Sequence, residues 1–352
     1  MFRPVSGLKR LMLQISPISP DEALAQERGV WRWTLSVTLG FAALRVACVC
    51  WSGVPLPLNS VTIEIGLLSL ACLLCGAYYL WIRSELGLAA PLLGLGLVLA
   101  GSIETGEASD LAFYFGRFRP LIDPMLASAD SAVGFCWRCY ATWLDEHPPV
   151  FLIGDQAYRS VLGQAPLLVL LLAFLKHRLR LCVFVVACQL AVAITSLVAF
   201  AFPALGAYTQ YGLTAADHPH IRLMFSDDMR GTIAWLRAAD FSAFPDGLVA
   251  GLISFPSFHA AMAVAYMWAA WPTLCRWPAV ALNLAMAAMT PIDGSHYLID
   301  VLAGAGVGLL SIAAATLMLA IPGRRKPHSA APWQDKLVPH HARRYPTSMA
   351  GL

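Results

Sequence analysis

Charge is what this sequence has least of. Only 13% of its 352 residues are Asp, Glu, Lys or Arg, while 58% are hydrophobic; an ordinary soluble domain carries roughly 25% charged residues. That shortage excludes a charged shell around a soluble core and places the chain in the membrane class. A continuous basic stripe is missing too. The net charge is +3 with the cations in short clusters, so nucleic acid is not expected as a partner. The opening stretch MFRPVSGLKRLMLQISPISPDEALAQERG has no clean apolar run ending in a small-residue cleavage site. No removed signal peptide is expected, and the first span serves as the insertion signal. Internal repeats and low-complexity blocks are likewise lacking.

Of nine cysteines, Cys48, Cys50, Cys72, Cys75, Cys182 and Cys188 lie inside apolar runs, where Cys acts as a small hydrophobe. Cys136 and Cys139 in FCWRCY have C-x-x-C spacing outside a clear span. They fit a local disulfide or a redox pair, though no βαβ pattern surrounds them. His218 and His220 in HPH make a weak metal pair, with no nearby Cys or ordered acid. No metal or cofactor is expected.

What is present is a series of long apolar runs. Eight can be drawn, at about 33–52, 62–82, 87–103, 161–175, 181–203, 251–271, 277–293 and 297–320. A span needs about 20 apolar residues; segment 87–103 is short before Glu104, and 161–175 is short unless its helix begins near Tyr158. The expected fold is therefore all-α, a polytopic transmembrane bundle with six to eight spans. Its parts are a cytoplasmic N-terminal segment 1–32, N-terminal transmembrane helices 33–103, an outer loop 104–160 with interfacial helices, a catalytic core 161–320 that includes outer loop 204–250, and a disordered cytoplasmic tail 321–352.

Basic residues set the orientation. With eight spans and both ends inside, every short inner connection is basic: Lys9, Arg10, Arg28 and Arg32, then Arg83, then Lys176, Arg178 and Arg180, then Arg276, then Arg324, Arg325 and Lys326. This is the positive-inside pattern. Two stretches of polar residues then begin spans on the outer face. In SFPSFHAAMAVAYMW, Pro256, Ser257 and His259 stand at a span entrance; in TPIDGSHYLIDVLAGAGVG, His296 and Asp300 do. Ionisable residues at membrane spans point to function by default. Four-residue spacing lets Asp300 hold one ring nitrogen of His296, leaving the other free as nucleophile or base. Ser257 suits a helix cap, with the first-turn N–H groups aimed at an anion. Gly304, Gly306 and Gly308 follow no strand, so they read as close helix packing rather than a nucleotide loop.

The strings PSFHA and HYLIDVLAG resemble the second and third signature motifs of the type 2 phosphatidic acid phosphatase superfamily, most closely its inositol phosphorylceramide synthase-like branch. The resemblance runs more loosely over roughly 120–310, through PALGAY at 203–208 and MRGT at 229–232. It implies that His296 attacks phosphorus to form a phosphohistidine, that Asp300 orients it and that His259 protonates the departing oxygen. The substrate would be a phospholipid, sphingolipid or isoprenoid phosphate, and the second step would use water or a lipid or polyol hydroxyl. Two positions depart from the usual motifs. Seven residues before Arg119-Pro120 stands Ala112 instead of Lys, and six before His296 stands Thr290 instead of Arg. The phosphate clamp is then sought in Arg230, with Arg222 and Arg119 behind it; Ser257 and Tyr297, beside the two histidines, complete the substrate-binding candidates. The bilayer itself is the expected partner, in a bacterial inner membrane with the site on the periplasmic face. A polytopic transporter or lipid-binding protein using the His-Asp pair as a proton relay is the rival reading, but neither repeated halves nor broken midplane helices are evident.

Overall fold

The computed structural model describes residues 20–55, 59–213, 218–221, 226–241 and 251–320. The expected tail 321–352, the first 19 residues and Arg222 lie outside the described residues. Among those described, all regular structure is helical: α1 Pro20–Ser52, α2 Ser60–Trp81, α3 Leu86–Phe115, α4 Asp123–Ala132, α5 Trp137–Asp145, α6 Pro148–Arg159, α7 Val161–Phe174, α8 Arg178–Ala201, α9 Ala207–Tyr211, α10 Ser226–Ala238, α11 Phe258–Ala270, α12 Arg276–Asp293 and α13 Leu298–Ala320.

Each of the eight apolar segments coincides with a helix, but not all are long enough to cross alone. Among the described residues, five helices are long and apolar enough to span, and α6 with α7 makes a sixth if the pair, bent by 53°, counts as one. The two short segments are thereby resolved. The third continues beyond Glu104 to Phe115, so its last twelve residues, assigned above to the outer loop, are helix. The fourth, α7, begins only at Val161, and it reaches spanning length only together with α6, which starts at Pro148 and meets it at the bend by Ser160. The segment 251–271 is cut to α11 because the chain before it is not helical. Pro256 lacks an N–H and disfavours helix at the residue before it. Leucines and aromatics that a soluble protein would bury face outward along these helices, such as Leu317 at 69% and Phe174 at 84% exposed, as a lipid-facing surface requires.

Polar groups inside the spans meet one another. Arg45 on α1 pairs with Glu104 at 3.0 Å and Glu107 at 2.6 Å on α3, which fixes the rotation of α3, since a charge at membrane depth must be paired. Asn283 on α12 donates to Gln164 on α7 at 2.7 Å, and the Tyr266 hydroxyl on α11 donates to the Val161 carbonyl at 2.7 Å. Among the described residues, three of the basic residues assigned to the inner side are tied to helix ends. Arg28 donates to the Leu80 carbonyl and to Ser84, Arg178 pairs with Glu27, and Arg180 donates to the carbonyls of Trp268 and Ala269 at the far end of α11 from His259.

Two of the three glycines on α13 act as the sequence suggested. A Cβ at Gly304 would lie 2.2 Å from the Ser257 carbonyl oxygen, and one at Gly308 2.5 Å from that of Ala261, whereas nothing lies within 4 Å of one at Gly306. Gly304 and Gly308 let α13 seat directly on the α11 backbone; Gly306 faces outward. Gly304→Leu is expected to cost about 3 kcal/mol or more, because the backbone it meets cannot move aside. Gly306→Leu should leave folding intact. Thermal melting and size-exclusion profiles in detergent will separate the two variants.

Candidate active site

The site is assembled where α11 and α13 begin. Ser257 is the N-cap of α11, its hydroxyl accepting from the Ala260 N–H at 3.3 Å. Its own N–H donates to the Asp300 carbonyl at 3.0 Å. His259 is therefore the second residue of the helix, in a first turn whose N–H groups have no partner within the helix. His296 stands in the four-residue connection between α12 and α13, just ahead of the helix that sequence spacing had it share with Asp300. The two side chains meet nonetheless. Asp300, in the first turn of α13, curls back to accept the Tyr297 N–H at 2.9 Å and the Ser254 hydroxyl at 3.1 Å. The same oxygen, Oδ2, lies 3.4 Å from His296 Nδ1. This is ion-pair distance, and Nδ1 has no hydrogen bond; such contacts often tighten only when substrate is bound.

The opposite edge of the His296 ring is open. A Cβ at Gly294 would lie 2.3 Å from Cδ2 and 2.8 Å from Nε2 of His296, and 2.8 Å from the Tyr158 hydroxyl oxygen. Nε2 and the tyrosine hydroxyl thus flank one point, and only glycine leaves it clear. Tyr158 in turn stacks on His259, with ring centroids 4.0 Å apart and planes inclined by 13°. Both histidines line one cavity of about 460 Å³, together with Tyr158, Asp293, Gly294 and Ser295. The structure therefore brings together His259, His296 and Asp300 from separate stretches of chain.

The other candidates fall elsewhere. Ser257 is wholly buried as a cap and Tyr297 turns its hydroxyl to Asp123, donating at 3.1 Å; neither lines the cavity. Arg230 is exposed on α10, and Arg119 lies over the Phe200 ring. Among the described residues no Lys or Arg lines the cavity. The HPH segment is tied to Asp145, which accepts the His220 and Ile221 N–H groups. Cys136 and Cys139 form a disulfide at the start of α5.

Several supporting residues had no sequence signal of their own. Trp137, beside the disulfide, donates its indole N–H to the His296 carbonyl at 2.9 Å. Asp130 on α4 caps α13, its two oxygens accepting the Leu298 and Ile299 N–H groups at 2.9 Å each. Burial pushes this carboxyl above its ordinary range, opposed by those two backbone donors, while the helix N-terminus favours the negative charge. Asp123 accepts the Leu205 and Gly206 N–H groups. This holds PALGAY against the His296 loop: the Ala207 N–H donates to the Ser295 carbonyl, the Tyr208 N–H to the Ser295 hydroxyl and the Tyr208 hydroxyl to the Ile292 carbonyl. Gly206 has φ +97°, and a Cβ there would lie 2.6 Å from the Ser295 carbonyl oxygen. Asp293, which reads in sequence as a loop carboxylate, is the buried last residue of α12.

No curated protein and no solved structure matches this chain. A family model described as PAP2 superfamily matches residues 124–314, more than half of the sequence, and that stretch holds both histidines, Asp300 and, apart from Asp123 one position before it, every residue just described that braces them. The chain belongs to the PAP2 superfamily.

Proposed function

We propose that this protein is a membrane-embedded lipid phosphatase or phosphotransferase that works through a phosphohistidine. The observation that carries the reading is the convergence of His296 and His259 on one cavity with a carboxylate behind the first. In this scheme His296 Nε2 attacks phosphorus, the bond from phosphorus to the ester oxygen breaks, and His259 delivers the proton that the leaving alkoxide takes up. Asp300 stabilises the cationic imidazole that the attack creates. Tyr158, stacked face to face on His259, holds that imidazole at the cavity wall. Water, or the hydroxyl of an acceptor, then attacks the phosphohistidine; the P–N bond breaks and His259 takes the attacking group's proton.

Phosphoryl transfer is chiefly a matter of positioning and of charge on the phosphoryl oxygens. The free N–H groups at the start of α11 offer part of that stabilisation. Arg222 and Arg230, from the segment before α11, are assigned the rest. Ala112 and Thr290, where the usual motifs have Lys and Arg, fit the inositol phosphorylceramide synthase-like branch, and with it a hydroxyl-bearing lipid or polyol as acceptor. A disulfide at Cys136 and Cys139 suits an oxidising, non-cytoplasmic face, in keeping with the orientation that the basic loops imply.

The test is the purified protein in detergent, given phosphatidic acid alone and then with a polyol or ceramide acceptor. Free phosphate marks a phosphatase and a phosphorylated acceptor marks a transferase; with neither product the proposal fails. Replacing Arg222 and Arg230 together by alanine is expected to lower kcat/KM about 100-fold, the usual loss when a transition-state charge partner is removed. Unchanged turnover in that double variant would move the clamp elsewhere.

A further inference from the structure

The cavity that holds the histidines is far deeper than a phosphate requires. Along α3 its lining runs from Ser109 to Leu97, and along α8 from Ser196 to Val185. At about 1.5 Å of rise per residue these stretches reach roughly 16 to 18 Å. One leaflet of hydrocarbon is about 15 Å thick, half of a core of some 30 Å. Directions agree along every wall. Helices α3 and α8 end side by side, with Gly116 against the Phe200 carbonyl, and this is the histidine end, since Ser109 on α3 accepts the N–H of Leu252, two residues before the Ser254 that binds Asp300. Helix α11 runs the other way, and its Tyr266, also in the lining, is hydrogen-bonded to Val161 at the head of α7. Polar lining gathers near the histidines, with Thr105, Glu107, Ser109 and Thr195, while the far end is Leu97, Val98, Ala165 and Val185.

The cavity also meets the outside of the bundle at a definite place. Leu162 on α7 is 73% exposed and Ser102 on α3 is exposed as well, yet both line it. The gap between α3 and α7 therefore opens toward lipid. Helix α3 lies wholly before residue 124, so one entire wall of this cavity is supplied from outside the stretch that the family model matches.

Resting on the function proposed above, we infer that the cavity between α3, α7, α8 and α11 seats one hydrocarbon chain of the phosphorylated substrate, which enters from the bilayer between α3 and α7, and that α3 sets which chain fits. The phosphate then sits at the histidines and the chain runs inward along α3 and α8. Both acyl and isoprenoid chains share the chemistry needed to fill it.

The experiment fills the deep end. Ala165→Phe and, independently, Val185→Phe are compared with the unaltered protein on octanoyl and palmitoyl lysophosphatidic acid, on farnesyl phosphate and on the chainless ester p-nitrophenyl phosphate. Each filled variant is expected to lose roughly tenfold or more in kcat/KM on the palmitoyl ester, as a ring without room would exact, with less than about a twofold change on the octanoyl and p-nitrophenyl esters. A parallel loss on farnesyl phosphate extends the seat to isoprenoids, whereas unaltered farnesyl turnover confines it to acyl chains. Two outcomes overturn the inference: equal losses on long, short and chainless esters in both variants, or no loss on the palmitoyl ester in either. An unaltered protein inactive on all four esters would instead sink the enzymatic reading itself.

Discussion

His296→Ala is expected to abolish turnover of every phosphate ester, with a loss of roughly 10⁴-fold or more in kcat, because removing a covalent nucleophile leaves only binding and electrostatic stabilisation behind. Rapid quenching of the unaltered protein with phosphorus-labelled substrate should trap an acid-labile, base-stable phosphoenzyme that the variant does not form. The substitution should spare the fold. His296 Nδ1 makes no hydrogen bond, and the loop is held through its backbone, by Trp137 at the His296 carbonyl and by the Pro291 carbonyl at its N–H. Normal melting with no turnover is the expected pair of results. Undiminished turnover would rule out the phosphohistidine and with it the roles given to Asp300 and His259.

His259→Ala should behave differently, and the difference is diagnostic. A general acid contributes about 10²- to 10⁴-fold when the departing oxygen is a basic alkoxide, so lipid esters are expected to lose that much. A nitrophenolate needs no proton to leave. Its release from p-nitrophenyl phosphate should therefore fall less than about tenfold, and the phosphoenzyme should build up, since the second step loses its base. Equal losses on both kinds of ester would mean that His259 holds the cavity in shape through its stack on Tyr158 rather than handling a proton.

Much of this could be read from the residues alone, for reasons that differ from one element to the next. The spans were legible because bilayer thickness imposes a length and a composition on each of them. Where the reading fell short, a local feature overrode hydropathy. Glu104 looks like the end of a span, yet Arg45 pairs with it and the helix runs on to Phe115. Pro256 and the Ser257 cap shorten an apolar run that hydropathy alone would have extended. Helical spacing suggested the partnership of His296 with Asp300, although His296 precedes the helix and the contact arises from a carboxylate folding back over the first turn. Tyr158, Trp137, Asp123 and Asp130 were invisible as site residues, since each acts on a partner far along the chain.

Composition, the basic connections and two short histidine motifs are enough by themselves to make the chain a helical membrane protein, and they nominate an orientation and three residues for chemistry. All of these are local properties, written in hydropathy, charge and spacing over a few turns. Tertiary packing alone decided that both imidazoles look into one cavity, that the first is braced from α4 and α5, and that α3 closes the far wall. These depend on contacts between residues separated by scores of positions, where burial and backbone hydrogen bonding select the neighbours and no sequence period records the choice.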